Sequence, residues 1–339
     1  MKVAIFSDLH LGIKQDSAEW QSIALQWVDW FVEQLQERGI KTIFFLGDFF
    51  HNKFVISSTT LYTASIFLNR LKDFDIHLIF GNHDLYYLNN PEVASVNVFA
   101  GYSNIHVYSK PYTLEVGDKK LVFCGWGYNP LDYSGDVLLT HAEIDVFRFN
   151  DLMTCHSELK PSALLKKYKR VISGHFHQKQ IKEYKNGVIE YIGNPFQMDF
   201  SNAGDEKVFG ILDTDTLEME YIVNPISPQF IKYKLSDLIK LYDLPKFIED
   251  IDNAYIRVTI DKDITLADTN ELKRLLSLCH PRDIKLDWVD KEQFLLNEKE
   301  IQGFQLTDVI NEYIDSIEVE DKTNIKNYIL TLYKKYANE

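Results

Sequence analysis

Ile76-His77-Leu78-Ile79-Phe80, followed at once by Gly81-Asn82-His83-Asp84, sets the reading of the whole chain. The first five residues are short and mostly apolar, as a buried strand requires. The next four fall at that strand's C-terminal end, where open α/β sheets place their chemistry. Glycine lets the backbone turn there without a Cβ clash. An amide, an imidazole and a carboxylate in a row are costly to bury unless each finds a partner. Either they form a solvated turn, or their partners include something outside the sequence, such as a metal ion.

The same arrangement recurs on both sides. Residues 3–7 read as a buried strand ending in Asp8-Leu9-His10. Alternation puts Asp8 and His10 on one side of an extended segment. Trp20, Ile23, Ala24, Trp27, Val28, Phe31 and Leu35 then recur at helical spacing, and Gly39 is the stop. Residues 42–46 form the next strand, ending in Gly47-Asp48-Phe49-Phe50-His51. A helix over 58–74, with Leu61, Ala64, Ser65, Leu68 and Leu71 on one face, leads back to the opening stretch. This alternation predicts a layered α/β fold with right-handed crossovers.

Further on, short strands are expected at 104–108, 113–116 and 120–124, with a turn at Gly117-Asp118. Residues 137–140 form a strand that stops at His141, and 162–168 a short helix. Residues 170–173 form a strand ending in Gly174-His175-Phe176-His177. Residues 188–192, 208–212 and 218–223 suit antiparallel strands closing the sheet.

Metal-capable residues thus stand at five strand ends: Asp8 with His10, Asp48, Asn82, His141, and His175 with His177. Six of the 10 histidines lie in these motifs, which random placement would not produce. His77, His106, His156 and His280 lie elsewhere and read as structural or solvated. Imidazole, carboxylate and amide donors suit Mn²⁺, Fe or Zn²⁺. Without cysteine, a structural zinc site is disfavoured. Seven ligands, one of them bridging, match two ions about 3.5–4 Å apart that activate water and clamp a phosphate.

Composition narrows the class. The 339 residues allow two domains, and 45% hydrophobic with 25% charged residues is ordinary for a globular chain. A net charge of −14 excludes a broad basic surface, leaving a local cationic groove or ion-held phosphates. Cys124, Cys155 and Cys279 are scattered, suit a reducing compartment and read as small apolar groups. The apolar run before Asp8 is too short for a signal peptide, and no run reaches membrane-spanning length. A cytoplasmic protein without membrane contact is expected.

The ordered set Asp-x-His, Gly-Asp, Gly-Asn-His-Asp, His and Gly-His-x-His resembles the calcineurin-like metallophosphoesterase superfamily. Gly47-Asp48-Phe49-Phe50-His51, the early Asp8-Leu9-His10 and the C-terminal extension resemble the Mre/SbcD nucleases of double-strand-break processing, the compact bacteriophage version above all. The resemblance implies a layered β-sandwich core flanked by helices, with a small α/β cap and C-terminal helices. It implies two Mn²⁺ ions, with Mg²⁺ as the alternative. One would be held by Asp8, His10, Asp48 and His177, the other by Asp48, Asn82, His141 and His175. His83 would protonate the leaving oxygen or steady the transition state, Asp84 would orient His83, and His51 would sit near the scissile phosphate. Gly193-Asn194-Pro195 departs from the Gly-Ser-Pro of many relatives, which bears on substrate contacts at most.

The implied activity is a 3′–5′ exonuclease on duplex ends and an endonuclease on single-stranded DNA, acting in recombination and break processing. Its implied partners are DNA, an SMC-like coiled-coil ATPase, and a second copy docked through helices between residues 58 and 100, giving a homodimer within a heterotetramer. A phage-encoded chain would work in the host cytoplasm. Alternatives are a small-molecule phosphodiesterase on the same site, and a scaffold subunit organising the ATPase on DNA ends. Lys14, Lys53, Arg148, Lys179 and Lys182 lie near the motifs as candidate phosphate contacts.

The expected divisions are a nuclease domain at 1–225, a cap at 226–290, an acidic linker at 291–303 and a helical pair at 304–339. In the cap, 230–235, 255–260 and 284–289 read as strands, and 267–279 as a helix with Leu272, Leu275, Leu276 and Cys279 inward. In the tail, Leu306, Ile310 and Tyr313 share one apolar face, and Ile325, Ile329 and Leu332 another. These stripes either fold back on the cap or, as the resemblance implies, dock the ATPase coiled coil.

Overall fold

The computed structural model describes residues 1–87, 90–149, 153–240 and 244–288, together with Lys322. The linker and the two tail stripes lie outside the described residues.

From the N-terminus run strand β1 (Lys2–Phe6), helix α1 (Ala18–Glu37), β2 (Thr42–Phe45), helix α2 (Ser58–Arg70) and β3 (Asp75–Ile79). A hairpin of β4 (Leu85–Tyr87) and β5 (Asn90–Ala94) follows, then β6 (Ile105–Tyr108), β7 (Tyr112–Val116), β8 (Lys119–Cys124) and β9 (Val137–His141). Next come β10 (Arg170–Gly174), β11 (Gln180–Tyr184), β12 (Gly187–Tyr191), β13 (Val208–Asp213) and β14 (Met219–Val223). The cap comprises β15 (Phe230–Lys234), helix α3 (Leu244–Ile251), β16 (Tyr255–Ile260), helix α4 (Leu266–Ser277) and β17 (Asp283–Trp288).

Two six-stranded sheets stack face to face, in the orders β14-β13-β1-β2-β3-β6 and β11-β12-β10-β9-β8-β7. The near-continuous apolar runs are explained by burial on both faces. Val3, Ile5, Phe44, Leu46 and Ile79 meet Leu121, Phe123, Leu139 and Ile172 between the sheets. Their alternating neighbours Ala4, Phe6, Ile43 and Phe45 face α1 and α2. There Trp27 stacks on Phe31 at 4.8 Å and on Phe67 at 6.1 Å. Each such fully buried side chain contributes roughly 1.5–3 kcal/mol. Ser57 caps α2 by accepting the Thr60 N–H.

The layered α/β core and the small α/β cap are as expected, but several details differ. On α2 the buried residues are Thr60, Thr63, Ala64, Phe67 and Leu68, while Leu61 and Ser65 face solvent. Hydrophobic spacing alone missed this phase because two threonines point inward. The helix expected over 162–168 is a single turn at Pro161–Leu164. β12 pairs in parallel with β10 and antiparallel with β11, which was not foreseen; only β13 and β14 close the first sheet antiparallel. In the cap, Leu276 is buried but Leu275 is 48% exposed. The cap's three strands are parallel and seat Phe230 and Tyr255 against Trp20 of α1.

Candidate metal centre

The exits of β1, β2, β3, β9 and β10 converge at one end of the sandwich. The exit of β1 does not stay extended. Asp8 (φ 55°) and His10 (φ 48°) adopt left-handed backbone, as do Asp48 (φ 60°) and His175 (φ 92°). Alternation along a strand is therefore not what brings Asp8 and His10 together. Instead the loop is laced to its neighbour: the His10 N–H donates to the Asp48 carbonyl at 3.0 Å and the Leu11 N–H to that of Phe49 at 2.8 Å. Left-handed non-glycine residues cost about 1–2 kcal/mol each and cluster at functional sites.

The seven residues expected as ligands come together. His10 Nε2 lies 3.0 Å from His177 Nε2, 3.6 Å from Asp48 Oδ2 and 4.0 Å from Asp8 Oδ1. On the other side, His141 Nε2 lies 3.4 Å from the same Asp48 Oδ2 and 3.1 Å from Asn82 Oδ1. His175 Nδ1 is 2.8 Å from Asn82 Oδ1. Backbone groups fix the orientations. His141 Nδ1 donates to the Leu46 carbonyl at 2.7 Å, turning Nε2 inward. Both Asp8 oxygens accept the His175 N–H at 3.1 Å.

Burial pushes the Asp8 carboxyl above its ordinary range, against the pull of His141. Burial also acts on Asp48, but His141 and His10 outweigh it and hold Asp48 below the carboxylate range. Burial disfavours charge on His141, yet Asp48 beside it pushes it up to about 9. Burial, with His141 adding, takes His175 down to about 3, and burial likewise lowers His10 and His177. The centre is thus two buried carboxylates among imidazoles, with His10, His175 and His177 favoured as neutral and His141 as charged beside Asp48. His10 and His177 turn nitrogens at each other, although a bare pair offers only a lone pair against a lone pair or one shared proton. His10 Nδ1 finds no hydrogen-bond partner among the described residues. Such a donor set fits cations.

His83 reaches the rim of this cluster, its ring 4.7 Å from that of His10 and 5.7 Å from that of His51. Its Nδ1 is anchored by the His51 carbonyl at 2.7 Å. This corrects the role expected of Asp84. Fully buried, Asp84 accepts the N–H groups of Asp48 at 2.8 Å, Phe49 at 3.0 Å and Gly81 at 2.8 Å. It staples two loops together rather than orienting His83. Gly81 also has a different reason: a Cβ there would collide with the Asp48 carboxylate, so close approach, not a sharp turn, demands glycine.

Three supports escaped sequence reasoning. Glu143 Oε1 lies 3.2 Å from His175 Nε2; its place two residues after His141 was the only local signal. Lys207, 3% exposed, donates to the His177 carbonyl at 2.9 Å, Asn194 Oδ1 at 2.7 Å and Asp205 Oδ2 at 3.1 Å. No neighbouring motif marks it. Asn194 is fully buried, so Gly193-Asn194-Pro195 braces the backbone of His177 rather than contacting substrate.

The third support is a row across the cap. Lys232, Arg257 and Lys285 are register partners on β15, β16 and β17. They line a cleft of about 830 Å³ with Lys14, Trp20, Phe200, Asp199 and Asp283, and Asp287 pairs with Arg257 at 3.2 Å and with Lys285 at 3.7 Å. Of the five cations expected near the motifs, Lys14 alone joins this cleft. Lys179 is paired with Glu206 at 3.2 Å, and Lys182 and Lys53 sit over the rings of Phe147 and Phe54. Arg148 is exposed, its backbone bonded to Gln180.

A family model described as a calcineurin-like phosphoesterase superfamily domain matches residues 1–217. A protein named exonuclease subunit 1, from Enterobacteria phage T4, is 30% identical over 339 residues, covering 94% of this chain and 93% of its own length. A solved archaeal phosphodiesterase is 16% identical over 66% of this chain and 100% of its own, with a TM-score of 0.37. Vps29 from Entamoeba histolytica, solved as a single mutant, is 13% identical over 66% of this chain and 99% of its own, with a TM-score of 0.34.

Proposed function

This chain belongs to the calcineurin-like phosphoesterase superfamily, and from that premise we propose that it is a two-metal DNA nuclease. The observation that carries the reading is Asp48 Oδ2, which lies between His10 Nε2 and His141 Nε2. One carboxylate thereby serves both halves of the centre. Asp8, His10 and His177 complete one half, and Asn82, His141 and His175 the other. The donors suit Mn²⁺, with Mg²⁺ as the alternative. When bound, the ion pair makes a water more acidic and neutralises phosphate charge.

The protein's own groups do the rest. With Nδ1–H donated to the His51 carbonyl, His83 keeps Nε2 free for the reaction. As the water oxygen bonds to phosphorus and the P–O bond breaks, His83 donates a proton from Nε2 to the leaving oxygen, and the proton lost by the water passes to solvent. No side chain becomes covalently attached. His51, beside His83, lines the approach of the scissile phosphate.

DNA as substrate is supported by the name of the phage relative and by the cationic cleft in a chain of net charge −14. We assign it 3′–5′ exonuclease activity on duplex ends and endonuclease activity on single strands, in the cytoplasm, with a coiled-coil ATPase gripped by residues 304–339. The cap, 226–290, would guide DNA toward the 1–225 nuclease domain. Exposed Leu61, Tyr62, Tyr87 and Val98 support pairing with a second copy through residues 58–100.

The deciding experiment measures nucleotide release from linear duplex, with and without Mn²⁺, against turnover of bis(nitrophenyl) phosphate. Mn²⁺-dependent release from DNA is expected. Turnover of the small diester with intact DNA would replace this reading with a small-molecule phosphodiesterase. Deleting 304–339 should abolish ATPase capture while leaving diester turnover; retained capture sinks that assignment.

A further inference from the structure

The first sheet carries another cluster of metal-capable side chains at its opposite end. Asp75 opens β3, His77 follows two residues later, and His106 stands on the neighbouring β6. The strands are parallel, and their register sets His77 opposite His106. His77 Nε2 is 3.1 Å from one Asp75 oxygen, and His106 Nε2 is 2.8 Å from the other. The two rings stack at 4.8 Å. His77 lies five positions before Asn82, on the body of β3 rather than in the turn that follows it. The centre described above uses none of these groups.

Three features set the cluster apart from a surface ion pair. First, its ligand atoms all lie within 4.8 Å of one another. Second, His77 is 6% exposed and packed between Phe44, at 5.4 Å, and Phe123, at 5.7 Å, so its ring cannot swing away. Its far nitrogen, Nδ1, lies 2.7 Å from the Tyr108 hydroxyl. A hydrogen bond at the far nitrogen is what orients metal-bound histidines. Third, the side chains of Asp75 and His106 are half exposed, 50% and 48%, so an ion can reach the site from solvent. Burial, against the pull of Asp75, favours neutral His77, the form that ligates.

We propose that Asp75, His77 and His106 form a divalent-metal site, separate from the strand-end centre, that takes Zn²⁺ or a similar borderline ion and clamps edge strand β6 to β3. Two imidazoles and one carboxylate select such ions over Mg²⁺ and Ca²⁺, which require oxygen cages. Water completes the shell on the open side. Without the ion, the two Nε2–H groups donate to Asp75 and keep the ligands in place. With it, each neutral ring carries its proton on Nδ1, that of His77 donating to the Tyr108 oxygen. The ring protons change position without net release.

The test uses the full chain, stripped by chelator and dialysed against Zn²⁺, with bound metal counted by elemental analysis. His106→Ala and Asp75→Asn alter half-exposed side chains, so the fold survives. Each should retain one equivalent fewer than the unaltered chain and lose its Zn²⁺-dependent rise in Tm, with Mn²⁺-dependent diester hydrolysis unchanged. Equal stoichiometry in all three overturns the proposal. An Asp48→Asn chain should keep the extra equivalent, which separates failure of this site from failure of the strand-end centre. Co²⁺ gives a second reading: visible bands added by the third equivalent should vanish in His106→Ala.

Discussion

The nuclease core and the cap each gather polar side chains from several strands, but by opposite geometries. The core collects from strand ends, where loops carry Asp8, Asp48, Asn82 and His175 onto one point. The cap collects from strand middles, where register alone sets Lys232, Arg257 and Lys285 abreast. Strand ends free the backbone to bend side chains toward a common centre, giving a compact, buried cluster. Strand middles hold side chains about 4.8 Å apart in a line, giving a track. A centre suits bond cleavage, and a track suits a repeating phosphate backbone.

Substitutions should separate the two. The largest effect is expected from Asp48→Asn, which removes the shared carboxylate. Hydrolysis of both DNA and the small diester should fall on the order of 10³-fold, and calorimetry should find Mn²⁺ binding lost at both halves. Activity within tenfold of the unaltered chain would break the reading of one shared centre. His83→Ser should cost roughly 10²-fold in kcat while Mn²⁺ stoichiometry stays unchanged; full activity would remove His83 from proton transfer.

Lys207→Met comes next. It leaves Asp205 and the His177 carbonyl without their buried cation. Mn²⁺ affinity should weaken about 10–100-fold, the scale seen when groups behind a ligand are lost, with a lower Tm. Unchanged affinity would reduce Lys207 to a packing role. The smallest effect is expected from Lys285→Glu. DNA binding should weaken several-fold and its salt dependence shrink by about one unit of slope, with diester turnover unaffected. A matching loss on the small diester would show that the row serves the centre rather than the DNA.

The same geometric contrast explains what was legible beforehand. Strand-end motifs are local: glycine, then carboxylate, amide or imidazole, within four residues. Asp48, Asn82 and His175 therefore announced themselves, and the apolar runs beside them gave the layered fold. Lys232, Arg257 and Lys285 are 25 or more residues apart in sequence and meet only through pairing, which no local pattern encodes. Lys207 was hidden for the same reason, its partners being a carbonyl and an amide contributed by other segments. The role that the resemblance implies for Asp84 differs from its contacts, because the turn directs its carboxylate at the Asp48, Phe49 and Gly81 N–H groups. On α2, Leu61 was placed inward on hydrophobicity alone, although Thr60 and Thr63 hold that face.

The pairing of β1 also bears on how the protein is made. Lys2 of β1 lies opposite Asp213 of β13, and the amino group of Met1 meets Asp215 at 2.9 Å. Asp8 likewise waits for the N–H of His175, 167 residues later. A ribosome adding about 5–20 residues per second needs on the order of ten seconds or more to deliver those partners. Until then the first strand lacks its antiparallel neighbour and the strand-end centre lacks its last histidines. A nascent chain that has not reached His177 therefore holds only part of the strand-end cluster.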